Sequence, residues 1–254
     1  MSLPELLILH YAGGSAIAYR KLGNQLRGKF RVLMLDLLGR GATYGQKVCR
    51  SVREAVGFCL DALDEQGVVP NAVFGRSMGA LIAFELASEL ERRGAPVTWA
   101  GSVRRASARI SHPAQIRRDL WNGAQLLDFV RDLGGTSEEL LENPNYVDYL
   151  LEVIRSDLEL VDTYVYDAET PLDTPAEVCQ GRDTPVLGGI EVGHWKQCFR
   201  HSVTGRSWPG GYFYLYGSEG EVANAITTSF DRALERKAGA PQQEASGPNR
   251  QENS

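Results

Sequence analysis

Short apolar runs alternate with longer amphipathic stretches over the first hundred residues of the chain. The apolar runs predict strands at 6–10, 31–35, 72–74 and 96–100. The stretches between them predict helices at 17–27, 52–65 and 78–93. This alternation is typical of βαβ units, in which a mostly parallel sheet is covered by helices on both faces. Such a sheet has its ligand site at the carboxyl ends of its strands.

The alternation stops between residues 110 and 170, where the pattern predicts helices only. An all-helical insertion between strands is most simply a lid over the site, and extra helices packed on the sheet are the alternative. Strands at 176–179 and 212–216 then complete the sheet, and 222–237 predicts a closing helix. The polar tail, 238–254, is expected to be disordered. The prediction is therefore an α/β core formed by 1–109 and 171–237, with a helical lid at 110–170.

Composition narrows the possible functions. The chain has 254 residues, of which 43% are hydrophobic, and its formal net charge of −5 gives no basic field for nucleic acid or an anionic membrane. Its start lacks the basic segment and cleavage site of a signal peptide, and no apolar run is long enough to span a membrane. The four cysteines have no CxxC spacing, so free thiols and a cytoplasmic location are expected. No cluster of metal ligands is evident, and neither a metal nor a cofactor is predicted.

A GxSxG motif, Gly75-Arg76-Ser77-Met78-Gly79, gives the clearest chemical signal. It follows a predicted strand and opens a predicted helix, which is the context of a nucleophile elbow. Only small residues fit beside the serine in so tight a turn. The helix N-terminus favours negative charge that develops on a reacting carbonyl. A glycine-flanked turn with an idle serine is the alternative.

Two further strand ends carry candidate residues. His10-Tyr11-Ala12-Gly13-Gly14 ends the first strand, and its glycines allow a backbone amide to face the site. The amides of Ala12 and Met78 are the candidate oxyanion hole. Asp183 follows the late strand at 176–179 and fits the chain order Ser, Asp, His of an α/β hydrolase. By itself, Asp183 could equally be a turn residue that supports its own backbone.

Seven segments appear in the same order as in the type II thioesterases of polyketide and nonribosomal-peptide assembly lines. They are HYAGGSAIAYRKL, GRSMGA, LGGTSEELL, RSDLELVDTYVY, QGRDTPV, the tryptophan of GHWKQ, and PGGYFYL. Over nearly its whole length, except the tail, the chain resembles this antibiotic-biosynthesis family. The resemblance implies an α/β hydrolase fold with a helical lid. It also implies hydrolysis of acyl thioesters held on the phosphopantetheine of an acyl or peptidyl carrier protein, with Ser77 as nucleophile and Asp183 as the acid of the triad.

The chain departs from this family at the catalytic base. The family's GGHFF segment, whose histidine is the base, reads Gly210-Gly211-Tyr212-Phe213-Tyr214 here. A phenol with a pKa near 10 is protonated at neutral pH and can only donate. Arg76 replaces the family's histidine before the nucleophile, and His10 replaces a proline. We therefore expect a degenerate triad and weak hydrolysis.

Three hypotheses follow from the altered base. Another histidine could supply it, with His10 ahead of the others, which are His112, His194 and His201. Alternatively, the oxyanion hole, Asp183 and Tyr212 could serve proton abstraction next to a carbonyl, and hence cyclisation, dehydration or isomerisation of a polyketide intermediate. In the third hypothesis, the protein is an inactive binder of a carrier protein or an acyl chain.

Candidate substrate and partner contacts are less specific. Arg76 and Tyr11 are the candidate substrate-binding residues, and Arg76 would suit a carboxylate or a phosphate. A basic group at the entry to the lid suits an acidic carrier protein, although a solvated helix face is as good an explanation; its members are Arg104, Arg105, Arg109, Arg117 and Arg118. Aromatic residues of the insertion could line an acyl pocket, but most are expected to pack in the lid core; they are Trp121, Phe129, Tyr146, Tyr149, Tyr164 and Tyr166.

Overall fold

A single parallel sheet with flanking helices organises the part of the chain that the computed structural model describes, which is residues 2–103, 117–166, 171–183, 195, 198–201 and 203–239. The strands are β1 (Glu5–Leu9), β2 (Arg31–Leu35), β3 (Ala72–Arg76), β4 (Trp99–Val103), β5 (Ala176–Gly181) and β6 (Thr204–Trp208). The helices are α1 (Arg20–Leu26), α2 (Val52–Glu65), α3 (Met78–Arg92), α4 (Gly123–Leu133), α5 (Glu138–Leu141), α6 (Pro144–Thr163) and α7 (Glu219–Gly239). The strand order is β2-β1-β3-β4-β5-β6, and every neighbouring pair is parallel. The α/β class with a parallel sheet is therefore confirmed.

Both faces of the central strands are buried, which explains their unbroken apolar sequences. One face packs against α2 and α3, where Leu60, Leu81 and Phe84 belong to the larger core. The other packs against α1 and α7, where Leu22 and Ile226 belong to a second core. Burial of this kind is the expected environment of a parallel sheet.

Parallel register brings the ends of β1 and β3 together. Leu9, the last residue of β1, lies beside Gly75, which is two residues before Ser77. The turn after β1 and the turn after β3 therefore leave the same edge of the sheet. This edge carries the candidate site.

The strand predicted at 212–216 is wrong. Residues 212–217 form turns, and the sixth strand lies earlier, at β6. Among the described strands, β6 pairs with β5 alone. Its sequence TGRSW is largely exposed, so it carries no apolar run for a pattern to detect. The aromatic residues after Gly210 are buried by side-chain stacking instead, as where Tyr214 stacks on Trp208 with ring centroids 5.3 Å apart.

Helices are the only regular secondary structure among the described residues 117–166, between β4 and β5. Two asparagines begin the longer ones: the Asn122 side chain accepts from the Gln125 amide before α4, and the Asn143 side chain accepts from the Tyr146 amide before α6. These helices share an apolar cluster of their own, formed by Leu126, Val130, Leu141, Leu150, Ile154 and Leu158, and Ala12 packs against it. We call residues 117–166 the helical insertion.

No helix in the described part of the chain has the length and apolar character needed to cross a membrane. All four cysteine side chains are buried, and none of them is in a disulfide within the described chain. The segment 238–254 lies outside the described residues except for residues 238 and 239, which end α7.

Candidate active site

Ser77 occupies a strained turn between β3 and α3. Its backbone has φ = 54° and ψ = −114°, and it is the one non-glycine residue with positive φ in the described part of the chain. The two motif glycines permit this turn. A Cβ on Gly75 would lie 2.0 Å from the Gly79 carbonyl oxygen, and one on Gly79 would lie 2.4 Å from the carbonyl oxygen of Leu9. The tight strand-turn-helix geometry matches that of a nucleophile elbow.

The first turn of α3 and the end of β1 surround the serine. Ser77 is 8% exposed, and none of the described residues makes a hydrogen bond with its Oγ. The Met78 amide belongs to the first turn of α3, where amides have no partner within the helix. Because Gly79 touches the backbone of Leu9 and His10, the turn that follows His10 lies next to the elbow.

This turn, Tyr11–Gly14, is held by the helical insertion. It closes with a hydrogen bond from the Gly14 amide to the Tyr11 carbonyl, 2.9 Å long. The Gly13 amide, at φ = 77°, donates to Asp157 Oδ2 of α6 over 2.7 Å. The Ala12 amide has no hydrogen-bond partner among the described residues. A backbone amide without a partner is the kind of donor that an oxyanion hole requires.

A buried ion pair fixes Asp157 in turn. Arg40 Nη1 and Nη2 bind its two carboxylate oxygens over 2.6 and 2.7 Å, and both side chains are 1% exposed. Arg40 Nη1 also donates to the Gly14 carbonyl over 3.4 Å. The pair therefore joins α6, the loop after β2 and the turn after β1 in one hydrogen-bonded unit.

His10 is buried and both its ring nitrogens are occupied. Nδ1 lies 2.9 Å from the Tyr11 carbonyl oxygen, to which it can only donate, and Nε2 accepts from the Leu37 amide over 3.2 Å. Burial, aided by the charge of Arg40, lowers the pKa of His10 to about 4. Neither nitrogen is therefore free to accept a proton from Ser77, and these contacts do not support the hypothesis that His10 is the catalytic base.

Asp183 faces the loop that carries Tyr212. Its Oδ2 accepts from the Gly210 amide over 2.9 Å, and its own amide donates to the Gly210 carbonyl over 3.0 Å. A Cβ on Gly181 would lie 2.2 Å from the Gly211 carbonyl oxygen, so the loop passes directly over the end of β5. The carboxylate is exposed and shares this edge of the sheet with Ser77.

Arg76 lies beneath aromatic rings and not in an open cleft. Its guanidinium carbon is 4.3 Å from the ring centroids of both Tyr212 and Phe213, and 5.2 Å from that of Tyr11. The residue is 1% exposed, and none of its three side-chain nitrogens has a hydrogen-bond partner within the described chain. This burial does not favour the predicted contact between Arg76 and a substrate.

A largely apolar cavity of about 280 Å³ separates the turn after β1 from the helical insertion. Its wall includes Ala12, Tyr11, Leu150, Ile154 and Phe213. The Tyr11 hydroxyl is hydrogen-bonded to that of Tyr216 over 2.7 Å, and burial raises the pKa of Tyr11 above its ordinary value. The lining includes Ala12 but neither Ser77 nor Met78, so the cavity meets the elbow only through the turn after β1. Its apolar wall suits an acyl group.

A family profile for the thioesterase domain matches residues 4–230. The chain belongs to the thioesterase family. Thioesterase PikA5 of Streptomyces venezuelae is 29% identical over 231 residues, which cover 89% of this chain and 80% of that protein. The type II thioesterase BorB from the borrelidin biosynthetic cluster superposes with a TM-score of 0.80 at 27% identity, over 90% of this chain and 93% of that one. RedJ, a thioesterase of the prodiginine pathway in Streptomyces coelicolor, gives a TM-score of 0.79 at 28% identity, over 90% and 89% of the two chains. These likenesses confirm the α/β-hydrolase fold predicted from the sequence.

His201, the one further histidine within the described chain, does not lie at the elbow. His201 Nε2 lies 3.3 Å from a carboxylate oxygen of Asp173, which precedes β5. It therefore lies at the amino end of the sheet, opposite the edge where Ser77 and Asp183 lie. His112 and His194 lie outside the described residues.

The basic group predicted for docking is only partly described. Arg118 is buried, and its Nε binds Asp162 over 3.0 Å, so it is not available to a partner. Arg117 pairs with Asp119 through a bond of 2.6 Å. The remaining three, Arg104, Arg105 and Arg109, lie outside the described residues.

Among the six aromatic residues of the insertion, only Tyr146 lines the cavity. Trp121 and Phe129 pack against each other, Tyr149 packs against Tyr44, Tyr164 is hydrogen-bonded to Glu85, and Tyr166 packs against Phe84. Packing within the protein therefore accounts for most of them, as expected.

Asp157 and Arg40 are the residues that the sequence analysis missed. Asp157 follows Val153 by four residues and Leu150 by seven, so it lies on the apolar face of α6. A single carboxylate at such a position indicates a buried partner. That signal was present in the sequence, but nothing there identified Arg40, which is 117 residues away along the chain.

Proposed function

We propose that this protein is a type II thioesterase-like hydrolase of a polyketide or nonribosomal-peptide pathway. Its substrate is an acyl thioester on the phosphopantetheine of an acyl or peptidyl carrier protein, or on CoA. The strained Ser77 elbow beside the unpaired Ala12 amide is the observation that carries the proposal. In it, Ser77 is the nucleophile, the amides of Ala12 and Met78 form the oxyanion hole, and the cavity beside Ala12 accepts the acyl chain.

In the proposed reaction, Ser77 Oγ attacks the thioester carbon and the carbonyl oxygen becomes an oxyanion that the two amides stabilise. The thiolate then leaves and takes up a proton, and water hydrolyses the acyl-serine to the free acid and regenerates the hydroxyl. Each attack requires loss of a proton from the attacking oxygen, normally to a histidine. Because a thiolate leaves easily, protonation of the leaving group matters less than removal of the proton from the attacking oxygen.

We further propose that Tyr212 occupies the position of that histidine, which makes the triad degenerate. A protonated phenol cannot accept the proton of Ser77. In a serine protease, loss of the triad histidine lowers turnover by about 10⁶, and the oxyanion hole with substrate binding retains roughly 10³ to 10⁴ over water. The residual rate here should be of that kind. The backbone contacts of His10 support a structural role for it, and those of Asp183 support a role in holding the loop that carries Tyr212.

We propose that the helical insertion acts as a lid. Its contact with the turn after β1 supports this proposal, because the cavity lies between the two. A wall that combines lid residues with Tyr11 would select acyl groups by size.

Thiol release from acyl-carrier protein and from acyl N-acetylcysteamine thioesters tests the hydrolase proposal. We expect slow release that Ser77→Ala lowers further, to the part that the oxyanion hole and substrate binding supply without a nucleophile. Release at the same rate from Ser77→Ala would contradict a nucleophilic serine. Fast, Ser77-dependent release would contradict the degenerate triad, since it requires an efficient base.

A second candidate function is proton abstraction next to a substrate carbonyl, leading to cyclisation, dehydration or isomerisation. The exposed Asp183 carboxylate, which binds the Gly210 amide of the loop that carries Tyr212, favours it, because an acceptor and a phenol donor then lie at one edge of the sheet. Here Ser77→Ala should leave product formation intact while Asp183→Asn removes it. Carrier-protein binding without turnover on any substrate would instead support a non-catalytic binding protein.

A further inference from the structure

Arg76 and Tyr212, two of the positions at which this chain departs from the type II thioesterase pattern, are in contact. Arg76 precedes the proposed nucleophile, and Tyr212 follows the paired glycines near the end of the sheet. The Arg76 guanidinium lies over the Tyr212 ring, 4.3 Å from its centroid, and over Phe213 at the same distance. Arg76 and Tyr212 are far apart in sequence, so only folding brings them together.

In the described structure, the buried Arg76 guanidinium contacts aromatic rings and has no hydrogen-bond partner. Arg76 is 1% exposed, and Nε, Nη1 and Nη2 all lack a hydrogen-bond partner among the described residues. A desolvated cation without a carboxylate is unfavourable, and the negative face of an aromatic ring offsets part of that cost. Tyr11 supplies a third ring at 5.2 Å, so Tyr212 is one wall of an aromatic cage around Arg76.

A histidine at position 212 would interact with the Arg76 charge differently from a tyrosine. During acyl transfer a histidine base becomes a cation, and a fixed positive charge beside it disfavours that form. The Tyr212 ring is instead attracted to the guanidinium through its negative face. Arg76 therefore suits a tyrosine and opposes a working imidazole at the same position.

We propose that Arg76 and Tyr212 form one coupled unit, in which Arg76 is a positioning residue that holds the Tyr212 ring and prevents a histidine at 212 from acting as a base. This inference rests on the proposed function for its catalytic consequence, although the pairing itself does not. It follows that Tyr212→His alone will not restore rapid hydrolysis. Restoration requires that the charge at position 76 also be removed.

Three variants separate charge from shape. They are Tyr212→His alone, Tyr212→His with Arg76→Gln, and Tyr212→His with Arg76→Lys, which keeps the charge as a matched control. We expect thiol release from an acyl N-acetylcysteamine thioester to be roughly tenfold or more faster in the glutamine pair than in the other two, since one pKa unit corresponds to tenfold. NMR titration should give the new imidazole a pKa about one unit higher in the glutamine pair than in either variant that keeps a positive charge at position 76.

The titration separates failure of this inference from failure of the proposed function. If none of the variants hydrolyses thioesters but Arg76→Gln raises the imidazole pKa, the coupling stands and the hydrolase proposal fails. If Arg76→Gln changes neither the imidazole pKa nor the hydrolysis rate of Tyr212→His, and so behaves like the Arg76→Lys control, the coupling is overturned.

A stability cycle tests the same contact in case the histidine variants do not fold. Urea unfolding is measured for the parent, Tyr212→Leu, Arg76→Gln and the double variant. We expect the loss of stability caused by Tyr212→Leu to shrink by at least about half when residue 76 is glutamine, because the ring then no longer covers a charge. Equal losses in both backgrounds would show that Arg76 and Tyr212 are independent, and would overturn the proposal.

Discussion

The buried pair of Arg40 and Asp157 allows a quantitative prediction about how the helical insertion is attached to the sheet. Asp157 is fully buried on α6 and binds Arg40 through two bonds and the Gly13 amide through a third. Replacing Asp157 with alanine removes all three acceptor contacts at once. Arg40 would keep one long hydrogen bond, of 3.4 Å, to the Gly14 carbonyl.

The expected magnitude follows from what is left behind. Breaking a buried ion pair by removing one partner costs about 3–5 kcal/mol, because the remaining charge is desolvated and unpaired. The total stability of a protein is about 5–15 kcal/mol. For a chain of this size each kcal/mol shifts Tm by about 2–4 °C. Asp157→Ala should therefore lower Tm by roughly 6–20 °C.

Urea unfolding and calorimetry measure the effect, and Glu159→Ala on the same helix is the matched control. Glu159 also pairs with an arginine, Arg50, but these side chains are 27% and 59% exposed. An exposed pair contributes at most about 1 kcal/mol. Asp157→Asn, which can still accept from the Gly13 amide, should fall between the two alanine variants. Equal losses from Asp157→Ala and Glu159→Ala would refute the idea that buried charge holds the insertion in place.

Three other predictions follow from particular residues. Burial lowers the pKa of His10 to about 4 from an ordinary 6.5, so between these pH values unfolding is accompanied by uptake of a proton. The free energy of unfolding should therefore fall by about 3 kcal/mol as the pH drops from 6.5 to 4. Urea unfolding midpoints measured over this range should lack that slope in His10→Gln. Ser77→Gly should remove hydrolysis yet raise the free energy of unfolding by about 1 kcal/mol, because glycine relieves the positive φ; a less stable variant would contradict the strained elbow. Gly79→Ala should lower Tm sharply or prevent folding, because its Cβ would lie 2.4 Å from the Leu9 carbonyl oxygen. The control Gly57→Ala has open space around its Cβ and should gain up to about 1 kcal/mol of helix stability in the same melting experiment.

The elbow was predictable from sequence because its constraints are local. A tight turn between a strand and a helix requires small residues on both sides of Ser77, and the glycines stand beside it in the chain. The helix at 52–65 was predicted with the bounds that the structure has, since apolar spacing and the Ser51 cap lie within one segment. The central strands were predictable for the same reason, because burial on both faces leaves an unbroken apolar run.

Edge position and side-chain stacking were not predictable in the same way. Strand β6 is mostly exposed, so its sequence carries polar residues and no period that marks a strand. The aromatic run at 212–216 has the composition of a strand, but it follows Gly210 with φ = 102° and forms turns. Its rings pack around Arg76 and on Trp208, which no local pattern specifies.

The sequence by itself determined the α/β class, the place of Ser77 between a strand and a helix, and the family to which the chain belongs, because each depends on residues that are neighbours along the chain. Tertiary structure alone decided which partners the charged and titratable groups have. It occupied both nitrogens of His10 with backbone atoms, turned Asp183 to the amide of Gly210, and enclosed the Arg76 charge in rings from two distant loops. Those outcomes depend on through-space contacts between segments that are far apart in sequence, and such contacts leave no periodic signal in the chain.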